Sequence, residues 1–227
     1  MTLAQIISEV QSRVGGSTTD PTEAQVTTWV NLGNDHISNR SDWYWLKETL
    51  DTGTTTSGTA EYTLPTDFKR MLSVRVGSAA STETSADDYS YVNYADKNLF
   101  YDGLASMGDV GYYYINEADA KYGLIPTPAT SGYKIYLKYW KTPDTVSAVS
   151  ATPTLPVRYH EALVDFALAN YWEQNDEMDK AVFYNTKLEN WIERMRTETV
   201  NRSSGELSRI RDIRETMRIT NNSILGK

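Results

Sequence analysis

The chain has 227 residues, of which 40% are hydrophobic, and it carries 16 tyrosines and 6 tryptophans, so it can build a sizeable core. It contains no cysteine, which excludes disulfide bridges, thiolate catalysis and cysteine-based metal sites. The net charge of −8 argues against a duplex-binding surface spread over the whole chain, because phosphate binding depends on clustered lysine and arginine.

The first forty residues predict two helices. Gly15-Gly16 is expected to end the first, and Asp20 is the predicted N-cap of the second, with Pro21 at its first position and Glu23 completing a capping box. The second helix is expected to end near Arg40. The apolar residues of the first helix face are Leu3, Ile6, Ile7, Val10 and Val14, and those of the second are Val26, Trp29, Val30 and Ile37.

Residues 43–142 have the threonine-, tyrosine- and valine-rich composition that is typical of β-structure. The predicted strands cover 46–50, 60–64, 71–76, 111–116, 122–125 and 133–140, and the small polar residues 77–88 predict a loop. The last strand has the clearest pattern, because Ile135, Leu137 and Tyr139 alternate with polar neighbours.

Two further helices are predicted after a linker at 143–153. Pro156 opens the third helix, and a short polar break at 173–176 separates it from the fourth, which implies an antiparallel hairpin. The predicted buried stripe of the fourth helix comprises Met178, Ala181, Val182, Leu188, Trp191, Ile192 and Met195.

The predicted fold is α+β: an antiparallel four-helix bundle with an inserted, mainly antiparallel β region and an extended or helical C-terminal arm. Residues 1–42 and 154–200 are assigned to the bundle, 43–142 to the β-rich insert, 143–153 to the linker and 201–227 to the arm.

The arm combines charge and apolar periodicity. Residues 201–227 hold six basic and three acidic residues, which gives them a charge of +3 and leaves −11 on the rest of the chain. After Gly205, apolar residues recur at helical spacing, and arginines recur at the same spacing one position further along the chain. We expect the arm to order on a partner; a solvated tail and contact with DNA in a channel are the alternatives. The predicted partner-binding residues are Arg209, Ile210, Arg211, Ile213, Arg214, Met217, Arg218, Ile224 and Leu225.

No pattern of catalytic or metal-ligating residues stands out. His36 and His160 each lack a second ligand at a recognised spacing, which favours structural or exposed roles. The acidic clusters at 87–88 and 176–179 lack the glycine and final glutamate of a calcium loop. No phosphate-binding glycine motif or nucleophile elbow occurs. We therefore predict no enzymatic activity and no catalytic, metal or cofactor site.

The tyrosines of the β-rich region have two interpretations. They either fill the core of a small sheet or form a surface that contacts sugars or other subunits, because tyrosine suits positions that are dry on one side and wet on the other. These residues are Tyr89, Tyr91, Tyr94, Tyr101, Tyr112, Tyr113 and Tyr114.

Three segments together resemble the head–tail connector or adaptor proteins of tailed bacteriophages, over about residues 1–200. Residues 62–71, YTLPTDFKRM, are similar to that family's Tyr-x-Leu-Pro-x-Asp-Phe segment. Residues 124–128, LIPTP, followed by 133–143, YKIYLKYWKTP, resemble its Pro-x-Pro, strand and Tyr-aromatic-x-x-Pro signature. Residues 155–163, LPVRYHEAL, are similar to the opening of its third helix. The arm lies outside these segments.

The resemblance implies a structural virion protein that forms a ring, a dodecamer, beneath the portal in the virion neck and is assembled in the host cytoplasm. Its implied partners are the portal protein, other copies of itself, a downstream tail protein or second adaptor, and passing DNA without sequence-specific binding. The sequence also favours a soluble protein without a membrane span, since no stretch approaches the roughly 20 apolar residues that such a span needs. The alternative function is a carbohydrate- or receptor-binding tail protein that uses the aromatic β region.

Overall fold

The computed structural model describes residues 1–15, 20–100 and 111–199. These residues form two compact units. One contains Met1–Trp45 and the described residues from 145 onward, and the other is Leu46–Asp144. The first unit is helical and the second is built around a β-sheet.

The helical unit contains four described helices: α1 (Leu3–Val14), α2 (Glu23–Asn39), α3 (His160–Gln174) and α4, whose described part covers 178–199. The sheet contains seven strands: β1 (Lys47–Thr54), β2 (Glu61–Thr63), β3 (Phe68–Gly77), β4 (Asp87–Tyr91), β5 (Tyr112–Asn116), β6 (Lys121–Ile125) and β7 (Lys134–Lys141).

The start of α2 differs from the prediction, because Thr22 and not Asp20 is its N-cap. The Thr22 hydroxyl accepts a hydrogen bond from the backbone N–H of Gln25 at 3.3 Å, and the Gln25 side chain accepts one from the Thr22 N–H at 2.9 Å. Thr22 and Gln25 thus form a capping box, in which each side chain accepts a hydrogen bond from the backbone N–H of the other residue. The helix therefore begins after Thr22, and Pro21 lies outside it. Gly15, with φ of 131°, ends α1 as predicted, and Arg40 follows the last residue of α2.

Helix α3 is the centre of the helical unit. It packs against both α1 and α2, and Gly33 of α2 allows the close approach, because a Cβ atom there would lie 2.9 Å from Cδ1 of Phe166. The residues that α3 buries cover most of its circumference: His160, Ala162, Leu163, Val164, Asp165, Ala167, Leu168 and Ala169.

The predicted four-helix bundle with an inserted β region is therefore wrong, although the α+β composition is observed. In such a bundle each helix buries one apolar stripe and exposes the opposite face. Helix α3 instead buries side chains around most of its circumference, so the four helices are not equivalent. The β-structure is a curled, mixed half-barrel and not a minor insertion.

The order of the strands across the sheet is β1-β7-β3-β4-β5-β6-β2. All neighbouring strands are antiparallel except β4 and β5, which are parallel, so the sheet is mixed. Strands β1 and β2 are joined by only six residues, 55–60, yet they lie at opposite edges of the sheet. A short connection between opposite edges requires the sheet to curl, and this produces the half-barrel.

The interior of the half-barrel is the core of the β unit. Its buried residues are Leu64, Met71, Val74, Val76, Tyr89, Tyr113, Tyr122, Leu124, Ile135, Leu137 and Tyr139. The alternation predicted for the last strand is confirmed, since Ile135, Leu137 and Tyr139 of β7 all face this core. Strand β4 was missed, because its exposed Asp87 and Asp88 gave the segment the composition of a loop.

Candidate functional site

All nine predicted partner-binding residues lie in the arm, outside the described residues. Their role remains a prediction. The structure does describe the end of α4, the segment from which the arm continues, and the surfaces of the helical unit around it.

The end of α4 is fixed by a cluster around Glu198. The Tyr159 hydroxyl donates a short hydrogen bond to Glu198 Oε2, and Arg158 Nη1 lies 3.3 Å from the same oxygen. Arg194, one turn earlier on α4, pairs with the other carboxylate oxygen at 3.3 Å. The last described turn of α4 is therefore attached to the residues just before α3.

The electrostatics of this cluster follow from these contacts. Burial raises the pKa of Tyr159 to about 12, and the hydrogen bond to Glu198 adds to the effect. The same hydrogen bond lowers the pKa of Glu198 below its ordinary value, with support from Arg158 and Arg194. Tyrosine stays protonated and glutamate stays charged at neutral pH, so this attachment is a permanent feature of the fold.

A buried carboxylate attaches the middle of α4 to α3 and α1. Trp191 Nε1 donates to Asp165 Oδ2 at 3.1 Å, and Lys187 Nζ lies 3.5 Å from Asp165 Oδ1. Arg13 of α1 approaches the same oxygen at 3.7 Å and pairs with Glu161 at 2.5 Å. Burial raises the pKa of Asp165, while the charge of Lys187 opposes that shift. Asp165 thus joins three helices through one side chain.

An exposed groove runs beside α2. It has a volume of about 410 Å³, and its lining is mostly polar: Leu32, Asp35, His36, Asn39, Arg40 and Phe166. Arg40 pairs with Glu189 of α4 at 2.7 Å at one end of the groove. Val182 lies two helical turns before Glu189, and Met178 one turn further, on the same face of α4.

The prediction that Met178 and Val182 belong to the buried stripe of α4 is wrong. Both side chains are more than half exposed, whereas Ala181, Leu188, Ile192 and Met195 are buried. Periodicity alone cannot separate these two sets, because residues at i and i+4 next to a buried face resemble the face itself.

The tyrosines of the β unit divide between core and surface. Tyr89, Tyr113 and Tyr114 are buried, whereas Tyr91 is 58% and Tyr94 40% exposed. Tyr101 lies outside the described residues. Core packing is therefore confirmed for Tyr89, Tyr113 and Tyr114, and a contact surface remains a prediction for Tyr91 and Tyr94.

The exposed tyrosines line an open cavity of about 700 Å³, the tyrosine groove, whose other walls include Arg70, Met71 and Asn116. The Lys97 ammonium lies 4.1 Å from the centre of the Tyr94 ring and 3.9 Å from Glu61 Oε1. A lining of aromatic faces, amides and a few charges is suited to contacts with a partner surface or a sugar. The described residues that line the tyrosine groove include no pair of a nucleophile and a base.

The histidines have separate environments. His160 is fully buried, with Nε2 2.6 Å from the Leu155 carbonyl oxygen, and burial lowers its pKa. The His36 ring packs against Phe166, with ring centres 5.6 Å apart. Among residues 1–15, 20–100 and 111–199 no group of three or more histidines and carboxylates could hold a metal ion. Within the same ranges no helix is both long and apolar enough to cross a membrane.

Comparison with known proteins identifies the family of the chain. The family model described as SU10 adaptor protein matches residues 1–211, which is most of the chain and includes the first residues of the arm. A comparison with curated proteins found no match.

Proposed function

Since the chain belongs to the SU10 adaptor protein family, we propose that it is the head-to-tail adaptor of a tailed bacteriophage and forms a ring beneath the portal. The resemblance to phage head–tail adaptors is confirmed, and with it a structural role in a bacteriophage. The observation that carries the proposal is the family match over residues 1–211.

In this proposal the ring is a dodecamer in the virion neck, assembled in the host cytoplasm, and it bridges capsid and tail while DNA passes through it. The portal protein lies on one side and a tail protein or second adaptor on the other. An acidic body supports this arrangement, since a channel that lets DNA slide should not hold phosphates tightly. Within residues 1–15, 20–100 and 111–199 we identify no arrangement of catalytic groups, and we assign a structural rather than an enzymatic role.

The arm is the proposed contact with the portal. Its apolar stripe of Ile210, Ile213 and Met217 would be buried, and Arg211, Arg214 and Arg218 would pair with portal carboxylates. Ordering a segment costs about 1–2 kcal/mol per residue for the backbone, so the contacts must offset a substantial entropy loss. The attachment of α4 through Glu198 supports this role, because it fixes the point from which the arm extends.

The test is loading onto purified portal rings, followed by electron microscopy of negatively stained particles. The wild-type chain should form rings on the portal, and a chain that ends at Asn201 should not. The full-length variant Arg211→Glu/Arg214→Glu/Arg218→Glu should also fail to load. Full occupancy by the chain that ends at Asn201 would show that the arm is not the portal contact.

A matched control tests whether loading depends on the arginines of the arm or only on the net charge of the chain. Lys121→Glu/Lys134→Glu/Lys138→Glu changes the net charge by the same amount at three half-exposed or exposed lysines of the β unit. We expect this variant to load normally. If it also fails, loading depends on overall charge and the arm arginines have no special role.

The tyrosine groove favours one second candidate, the carbohydrate- or receptor-binding tail protein. That function predicts binding of host glycans by the isolated chain, and loss of binding in Tyr91→Ala but not in Tyr184→Ala, whose side chain belongs to α4. The adaptor function predicts no glycan binding and portal-dependent rings.

A further inference from the structure

The tyrosine groove lies where one strand of the sheet ends early. Strand β4 has 5 residues and its neighbour β3 has 10, and the two pair only at residues 74–76 of β3. After Val92, whose N–H donates to the Tyr113 carbonyl oxygen at 2.8 Å, the chain leaves the sheet and forms a short 3-10 helix at Tyr94–Phe100. Among the described residues, no strand therefore lies between the first half of β3 and the end of β5.

The lining of the groove comes from both sides of this gap. Arg70 and Met71 belong to β3, and Ile115 and Asn116 belong to β5. Where β4 is present, it separates β3 from β5 by two inter-strand spacings, about 10 Å. The gap that begins at the end of β4 therefore has the width of one strand. Its volume of about 700 Å³ is in the range of ligand-binding sites.

Strand β5 presents unpaired backbone groups to this gap. The N–H of Ser90 donates to the Gly111 carbonyl oxygen at 2.9 Å, and the N–H of Val92 donates to that of Tyr113, so the peptide groups of alternate residues face β4. Ile115 is the next residue in this alternation, and its N–H and carbonyl therefore face the groove. Within the described part of the chain, no backbone group pairs with them on that side.

Strand β3 is irregular on the other side of the gap. Its pairing with β7 shifts register between Phe68 and Arg70 and again between Met71 and Ser73. Both shifts fall in the half of β3 that β4 does not cover. Bulges of this kind are frequent at sheet edges and beside functional sites, because they interrupt pairing and redirect the backbone. This half of β3 thus has the features of an edge inside the sheet.

We propose that an extended segment of another protein binds in the tyrosine groove and adds a strand to the sheet beside β5. An unpaired strand edge is complemented by the backbone of an extended peptide, and pockets beside that edge select its side chains. The proposal rests on the proposed function only for the source of the segment. Since the arm is assigned to the portal, the segment belongs to the protein on the tail side.

The aromatic walls of the groove are held in place by their own chain. The Tyr91 ring packs on Tyr113 with ring centres 5.5 Å apart, and the Tyr94 ring packs on Tyr114 at 5.6 Å. The Lys97 ammonium lies 4.1 Å and 4.9 Å from the centres of the second pair of rings. Rigid, exposed tyrosines bury a large area at a small cost in entropy. We therefore expect bulky apolar side chains at alternate positions of the bound segment.

The polar groups of the groove favour a peptide over a sugar or DNA. The buried amide of Asn116 donates to Asp119 at 2.8 Å, and the side chain of Asn93 accepts a hydrogen bond from a backbone N–H at 3.2 Å. The amides that would bind sugar hydroxyls are thus engaged within the chain. The charges of the described lining are one cation and one carboxylate, Arg70 and Glu117, so they do not attract a polyanion.

A second copy of the chain is a less suitable source of the segment. Among the described residues, the longest extended segment outside the sheet contains the linker at 143–153, and this linker is attached to the helical unit. Asn31 Nδ2 donates to the Val146 carbonyl oxygen at 2.9 Å, and the Leu3 N–H donates to that of Ala151 at 2.9 Å. We therefore assign the segment to a different protein.

The test uses the full-length chain and a displayed library of short peptides of random sequence. Selected peptides should bind the wild-type chain with micromolar affinity, and Tyr91→Ala should weaken their binding at least about tenfold. Tyr184→Ala, in α4, is the control and should bind like the wild type. Circular dichroism checks that both variants fold. If no peptide is selected, or if Tyr91→Ala binds equally well, the proposal is overturned.

A second measurement distinguishes strand addition from contacts of side chains alone. Hydrogen exchange of single amides is followed by NMR with and without a selected peptide. Exchange of the Ile115 N–H should slow at least about tenfold on binding, because it gains a hydrogen-bond partner. The Tyr114 N–H faces β6 in the same alternation and is the control, with no change expected. Unchanged exchange of Ile115 in the complex would overturn strand addition.

Two further assays cover the other occupants. Tyr91-dependent binding on a glycan array would assign the groove to a carbohydrate. Sedimentation that shows dimers of the wild type but not of Tyr91→Ala would assign it to a second copy. Either result overturns the proposal.

Portal loading separates this inference from the proposed function. Tyr91→Ala keeps the arm, so it should form rings on the portal like the wild type. A wild-type chain that binds peptides through Tyr91 but forms no rings on the portal would contradict the proposed function and leave strand addition intact.

Discussion

At the scale of single residues, two carboxylates that connect α4 to other parts of the helical unit have opposite environments. Asp165 is completely buried and accepts a hydrogen bond from Trp191, whereas Glu189 is exposed and pairs with Arg40. A buried charge that loses its partner leaves polar groups without compensation, whereas an exposed pair gains little over solvent. The contacts of Asp165 should therefore contribute much more to the free energy of unfolding than the ion pair of Glu189.

We predict that Asp165→Ala lowers the free energy of unfolding by about 3 kcal/mol, because it leaves the Trp191 N–H without its acceptor and opens a cavity between three helices. Glu189→Ala should cost less than about 1 kcal/mol. Urea unfolding followed by circular dichroism measures both. Equal effects of the two substitutions would contradict the importance given to Asp165.

His160 makes stability depend on pH. Burial lowers its pKa in the folded chain from the ordinary 6.5, so the unfolded chain binds the proton more readily. The stability contributed by neutral His160 is complete above pH 6.5 and is lost as pH falls below it, by at most about 1.4 kcal/mol per pH unit.

His160→Gln should remove this part of the pH dependence. Unfolding is compared at pH 8, where the histidine is neutral in both states, and at pH 5. The difference in stability between wild type and variant should therefore shrink toward pH 5. A constant difference across that range would show that His160 does not titrate differently in the two states.

At the scale of elements, the packing of α2 on α3 depends on one glycine. Gly33 brings the α2 backbone against the Phe166 ring, and an added Cβ atom would lie 2.9 Å from Cδ1 and 3.0 Å from Cγ of that ring. The periodicity of α2 predicts its buried face, but it does not show how closely the next helix approaches. The distance between α2 and α3 depends on the side chains of both helices, so the pattern of α2 alone does not specify it.

Gly33→Ala tests this contact. Alanine raises helix propensity by about 1 kcal/mol, but overpacking costs about 1–3 kcal/mol, so we expect a net destabilisation of about 1 kcal/mol. Adding Phe166→Ala should remove the clash, so that Gly33→Ala becomes stabilising in that background. A double-mutant cycle by urea unfolding measures the coupling, and additive effects would contradict the clash.

At the scale of the whole molecule, charge is distributed unevenly along the chain, with −11 on residues 1–200 and +3 on the arm. The body is acidic, and a basic segment of 27 residues follows it. This asymmetry supports a segment that finds an acidic partner surface rather than a chain that binds DNA over its length.

We predict that the isolated chain does not shift a short DNA duplex in an electrophoretic mobility assay at physiological ionic strength. The basic residues of the arm are few and are accompanied by three acids, so counterion release supplies little affinity. Micromolar binding that falls steeply with added salt would contradict the proposed role of the arm and favour contact with phosphates.

Local patterns determined much of this protein. Apolar spacing located all four described helices, composition together with alternation located six of the seven strands, and the family-like segments indicated a phage adaptor. These features depend on residues that are close in the sequence, or on short motifs, and so the sequence alone contains them.

Only the tertiary structure decided how the elements combine. The half-barrel follows from the placement of β1 and β2 at opposite edges, and the central position of α3 follows from packing around most of its circumference. The exposure of Met178 and Val182, on a helix whose other apolar residues are buried, also depends on tertiary packing. Burial is a property of neighbours distant in the chain, and no local pattern specifies them.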